Sequence, residues 1–238
     1  KGAQTMVSFE GSFWGGVTAC ARSLSDPQFG TYFPWHHLPY PYVEGDPFAG
    51  QDDDLSADET ACLEQLWSLM AWKEKLLGVA VEPVQQMTGR RLSVRFLKAL
   101  RKVCDETGVP LVMNESASWA YRGSRELFYC QATGVLPDLL TMFGGGQVGH
   151  VLTNDKYYLD KPLMLISTWD GDELSCLRLR EQLRVLRAFR DDPRLYEIDR
   201  LVGVAGDTYR GSGMFYGKHY SLAASSTLDG RGQLLFPP

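Results

Sequence analysis

Four short apolar runs, each walled off from the next by helical patterning, constrain this chain more than any other feature. They are TMVSF at 5–9, GVAVEPV at 78–84, VPLVMNES at 109–116 and PDLLTMF at 137–143. Runs this short and this continuously apolar read as strands covered on both faces. Helices between them can return the chain for parallel pairing. The expected fold class is therefore α/β, a mostly parallel sheet with crossover helices.

The intervening helices carry their own start and stop signals. Ser56-Ala-Asp-Glu59 has the spacing of a capping box, and Leu63, Leu66, Trp67 and Met70 follow at helical intervals as a core face. A second helix is expected from about 93 to 107, burying Phe96, Leu97, Leu100, Val103 and Cys104. Gly108 and Pro110 close it. A long helix is expected after STWDGDE (167–173), ending near Arg190. The aromatic and proline-rich segment 24–55 shows no period and reads as a long loop over a site or an interface. It contains the adjacent His36 and His37.

Composition narrows the function. The 238 residues carry a formal net charge of −5, which argues against a nucleic-acid partner, because binding phosphates needs a basic face. No apolar stretch reaches the length of a membrane span. Cys20, Cys62, Cys104, Cys130 and Cys176 are scattered, with no CxxC pair. Neither a disulfide framework nor a metal site is indicated, and Asp52-Asp53-Asp54 reads as a solvated loop. A reducing compartment is expected, mitochondrial matrix or cytoplasm.

The polar residues at the strand ends form a pattern. FEGSFWGG (9–16), VAVEPVQQMTG (79–89), VPLVMNES (109–116) and LPDLLTMFGGGQVG (136–149) with STWDGD (167–172) resemble, in order and at plausible spacing, four segments of the class III pyridoxal-phosphate-dependent aminotransferases. The closest likeness is to the 4-aminobutyrate and lysine aminotransferase subgroup. The resemblance spans roughly residues 5 to 215. It implies a fold-type-I architecture, with a large-domain remainder over 1–178 and a helix plus part of a smaller C-terminal α+β domain over 179–238. It also implies a chain truncated at its N-terminal side, without the family's phosphate-cradling loop.

The resemblance assigns roles, and several are vacated. The strand-end Asp that pairs with the pyridine nitrogen is matched by Asn114, and the following Gln by Ala117. The Schiff-base Lys is matched by Gly144, and no Lys lies between Lys102 and Lys156. Lys156 and Lys161 are the nearest amines. Phe13, Glu82 and Thr168 match retained positions: a ring-stacking aromatic, a strand-end Glu, and a Thr that reaches a neighbouring subunit's phosphate. Without amine and carboxylate the chemistry lacks its nucleophile and its electron-sink partner.

The expectation is a non-catalytic pseudoenzyme, a structural or interaction subunit of a homo- or hetero-oligomer, with no cofactor bound unless a substitute Lys or a partner subunit completes the site. Two alternatives stand beside it. One is an active transaminase moving an amino group from a small amine to a 2-oxo acid. The other is a module binding a different ligand in the relic cleft through Asn114 and Glu82.

Overall fold

A computed structural model describes residues 4–72, 75–122, 124–143, 149–161 and 172–191. Its centre is a six-stranded sheet in the order β2-β1-β4-β6-β7-β8. The strands are β1 (Thr5–Phe9), β2 (His36–Leu38), β4 (Leu76–Val81), β6 (Leu111–Asn114), β7 (Leu139–Phe143) and β8 (Gly149–Thr153). Every neighbouring pair is parallel except β7 and β8. A separate two-stranded antiparallel ribbon joins β3 (Tyr42–Val43) to β5 (Arg91–Leu92).

The expected strands appear where the apolar runs lie, trimmed at their polar ends. Val7, Phe9, Val79, Val81, Leu111 and Met113 are almost wholly buried, as continuous apolar runs require. The helices are α1 (Ala19–Leu24), α2 (Ala57–Met70), α3 (Val94–Thr107), α4 (Tyr129–Thr133) and α5 (Glu173–Phe189). The α5 helix runs through residue 178, and residues beyond 191 lie outside the described ones.

The capping box forms as its spacing requires. Glu59 N–H donates to Ser56 Oγ at 3.3 Å, and Ser56 N–H donates to Glu59 Oε2 at 2.7 Å. The same carboxylate accepts from Ser93 Oγ and from Arg95 Nε at 2.8 Å. Ser93 is itself the N-cap of α3, so one buried carboxylate ties together the starts of two helices. Burial opposes its charge. The hydrogen bonds from Ser93, Ser56 and Arg95 outweigh that and hold the carboxyl below the usual range. Gly108 closes α3 at φ 71°, the left-handed conformation a side chain resists.

Two expectations change, and one strand is new. Trp67 is 44% exposed and is not core. It stands about 80° from the centre of the stripe formed by Glu59, Cys62, Leu63, Leu66 and Met70 at 3.6 residues per turn. The 24–55 segment is not one loop: β2 pairs in parallel with β1, and β3 starts the ribbon. Strands of three and two residues are too short to print a period on the sequence. The half-exposed edge strand β8 was also hidden, because its ladder has only one neighbour. Among the described residues no helix is long and apolar enough to cross a membrane.

Two substitutions separate core from pin. Leu100→Ala empties a fully buried position and is expected to cost about 2–5 kcal/mol. Glu59→Gln keeps the volume but removes a charged acceptor, with an expected cost of about 1.5–3 kcal/mol. Urea unfolding measures both, and an unchanged midpoint for Glu59→Gln would remove the pin from this account.

Candidate functional site

The sheet order has one reversal. From β1 the chain moves to β2 on one side, and the next sheet strand, β4, lies on the other side of β1. Such a switch opens a crevice at the carboxyl ends of the parting strands, where α/β proteins place ligands. The segments leaving β1 and β4 are Glu10 to Trp14 and Glu82 to Gln85.

Nearly every polar group of the first segment is tied down. Gly11 N–H donates to Asp26 Oδ2 at 2.6 Å, and Trp14 N–H to Ser25 Oγ at 2.8 Å. Gln85 Nε2 donates to Glu10 O at 2.6 Å. Gly11 has φ 74°, and a Cβ there would meet Gln85 Oε1 at 2.8 Å, so the close approach needs glycine.

Phe13 is the bridge. Its N–H donates to Glu82 Oε2 at 2.8 Å, and its carbonyl accepts from Asn114 Nδ2 at 3.3 Å. Three residues singled out in the sequence, from the ends of three different strands, thus meet directly. The Phe13 ring lies edge-on to Phe29 at 5.5 Å between centroids.

Glu82 is buried to 1% exposure. Burial pushes its carboxyl up to about 8, against the pull of hydrogen bonds from the Phe13 and Gln86 N–H groups. Behind it, the buried Tyr40 hydroxyl contacts the carbonyls of Glu82 and Pro83 at 2.9 and 3.1 Å. The aromatic segment therefore supports this turn from behind.

Asn114 ends β6, opposite Thr141. Its Oδ1 accepts twice from Ser116, from the backbone N–H at 3.0 Å and from Oγ at 2.7 Å. The Ser116 hydroxyl in turn accepts from Phe143 N–H at 3.0 Å. These contacts orient the amide: its oxygen is engaged and its Nδ2 faces Phe13. It is a neutral donor and cannot balance a cation.

Pleating sends Glu115 to the other side of the strand end. Wholly buried, it accepts from the N–H groups of Tyr129 and Cys130 at 2.6 and 2.8 Å, at the start of α4. Burial raises its carboxyl pKa, partly offset by those bonds. Its role is to hold the loop. Ala117, matched to the family's Gln, packs into the core at 6% exposure. The loop then passes through Ala120 and Tyr121 at φ 62° and 63°. Arg122 secures it by donating to Trp119 O at 3.0 Å and Ser116 O at 2.5 Å. Burial lowers the Arg122 guanidinium to about 10. The sequence marks neither Ser116 nor Arg122, because loop hydrogen bonds leave no periodic signal.

The candidate amine Lys156 lies at the far end of the sheet. Strand β8 runs antiparallel, and its last residue, Thr153, pairs with Leu139 at the start of β7. Lys156 follows in a 3-10 turn (Asp155–Tyr157), its ammonium over the Tyr157 ring at 4.9 Å. That is the amino edge of the parallel strands, whereas Asn114 is at the carboxyl edge. Lys161 is exposed. Gly144 and Thr168 lie outside the described residues.

A family model described as aminotransferase class III matches residues 1–200. Among solved structures, a lysine aminotransferase from M. tuberculosis in the internal aldimine form superposes with a TM-score of 0.69 at 19% identity, covering 88% of this chain and 50% of that one. An amine transaminase from an uncultivated Pseudomonas species, in the PLP-bound internal aldimine form, gives 0.68 at 21% identity, covering 87% and 49%. An (S)-enantioselective omega-transaminase from Thermomicrobium roseum gives 0.65 at 19%, covering 86% and 47%. The chain spans about half the length of these proteins. One expectation is corrected here. The sequence pointed to no cofactor, but pyridoxal phosphate is the norm of the matched family, as the PLP-bound Pseudomonas enzyme illustrates.

Glu82 makes a pH prediction. Its folded value, about 8, lies above the ordinary carboxylate range near 4.5. Between those values folding takes up a proton that the unfolded chain has released. Stability therefore falls as pH rises from about 4.5 to about 8, by at most about 1.4 kcal/mol per pH unit for this one group. Glu115 adds a slope of the same sign. Glu82→Gln should remove the Glu82 share, read as a flatter profile of unfolding midpoint against pH. Identical profiles for the two proteins would assign the proton elsewhere.

Proposed function

Because the chain belongs to the class III aminotransferase family, we propose that it is a non-catalytic member, a structural or interaction subunit of an oligomeric complex. The observation that carries this reading is Asn114. It ends β6 at the crevice, its oxygen engaged by Ser116 and its amide neutral. The family resemblance puts a carboxylate there.

Pyridoxal phosphate enters as the family's cofactor. When bound, it serves as an electron sink for a substrate carbanion, a role supported by a charged partner at its ring nitrogen. The residues present fit its ring as a neutral body: Asn114 Nδ2 would donate to the ring nitrogen, and Phe13 would flank the ring. Phe13 is held for this by Glu82 on its N–H and Asn114 on its carbonyl. Proton transfer at the reacting carbon calls for a base positioned within hydrogen-bond reach. The position matched to the Schiff-base Lys is Gly144, residues 103–155 contain no Lys, and Lys156 stands at the opposite edge of the sheet.

A subunit role draws support from the sheet margins. Beside β2, Tyr32 and Phe33 are exposed. At the β8 margin, Phe143, Val151, Leu152 and Tyr158 are exposed. Exposed apolar side chains along a sheet margin suit an association surface. Thr168 belongs to the same reading, as a contact to the phosphate site of a neighbouring subunit.

The test has two arms. Light scattering behind size exclusion should find an oligomer or a co-purifying partner at micromolar concentration, and a lone monomer would remove the subunit role. Incubation with pyridoxal phosphate, borohydride reduction and peptide mass spectrometry should find no adduct at a single lysine. One specific phosphopyridoxyl-lysine, together with turnover of an amine and a 2-oxo acid, would establish an enzyme instead.

A further inference from the structure

The hydrogen bonds at Asn114 decide what kind of ring atom can face it. An amide presents an acceptor at one end and donors at the other. Here the acceptor end is saturated by two Ser116 donors, while Nδ2 places one hydrogen on Phe13 O. Turning the amide over would set its NH2 against the Ser116 N–H and its oxygen against the Phe13 carbonyl. Both sides resist the flip, and a buried group deprived of its partner is costly. The second Nδ2 hydrogen has no acceptor among the described residues.

The carboxylates nearby are engaged elsewhere. Glu82 spends its oxygens on the Phe13 and Gln86 N–H groups, and Glu115 points to the start of α4. A ring N–H⁺ at this strand end would meet a donor, with no free carboxylate behind it among the described residues. A ring nitrogen carrying a lone pair would meet a matching hydrogen.

We propose that Asn114, locked by Ser116, is a one-way donor that holds a planar nitrogen heteroaromatic ring, the pyridoxal phosphate ring included, with its ring nitrogen unprotonated. Ser116 acts as a positioning residue, through the amide. This rests on the crevice being the family's cofactor crevice and is independent of whether the chain turns over substrate.

The experiment is nitrogen NMR of pyridoxal phosphate labelled with 15N in the ring, bound to the full chain and compared with the free compound in the same buffer across pH. In the native chain the bound resonance should sit at the unprotonated position through neutral pH. Asn114→Asp should raise the bound ring's proton affinity about ten- to thousandfold, the usual effect of an adjacent opposite charge. Ser116→Ala, which removes one of the two Oδ1 donors and leaves the backbone N–H to hold the amide alone, should raise it by less. A protonated ring in the native chain overturns the proposal, and so does a spectrum with no bound resonance. The borohydride arm above reads lysine chemistry alone, so failure of one reading leaves the other measurable.

Discussion

One backbone position holds the site together. The Phe13 N–H donates to the carboxyl just past β4, and its carbonyl accepts from the amide that ends β6. The segment leaving β1 is thus stitched across two neighbouring strands where the sheet order reverses. A crevice at a switch point exists because the connections leaving two adjacent parallel strands turn to opposite sides. Without cross-links, the segments walling it would be loose loops with unpaired backbone groups. Here they are paired, and the Tyr40 hydroxyl supports the Glu82 turn from behind.

The same stitching explains why the neutral Asn114 is tolerated. A buried amide needs partners for both ends, and Ser116 and Phe13 supply them. The result is a satisfied local network around an uncharged side chain. The network extends through the Ser116 hydroxyl to the end of β7, so replacing Asn114 would disturb three strand ends at once. Glu115, one residue on, serves only the loop. Two adjacent polar residues at one strand end carry separate duties because the pleat points them to opposite sides.

Much of this frame was legible beforehand, for identifiable reasons. Runs such as TMVSF and PDLLTMF are buried strands in any α/β arrangement, and Ser56 to Glu59 is a cap by its chemistry. Asn114 stood out as a polar residue at the end of an apolar run, and Glu82 and Phe13 through the resemblance of their segments to the family's motifs. The features that escaped were short or non-periodic: β2 with three residues, the β3 and β5 ribbon, the exposed β8, and the loop held by Glu115 and Arg122. Trp67 escaped differently. Its spacing fits a helical stripe, but its angle puts it on the rim.

By itself the sequence determined the layer plan, the helix starts and the residue types available: an amide at 114, glycine at 144, and no lysine from 103 to 155. These follow from residue identity and local period, which need no partner. The tertiary structure alone decided which way the Asn114 amide points, that Phe13 links two strand ends, and that Lys156 lies on the opposite edge of the sheet from Asn114. Each depends on strand order and direction, and those are set by pairing between residues far apart in the chain, which local pattern does not encode.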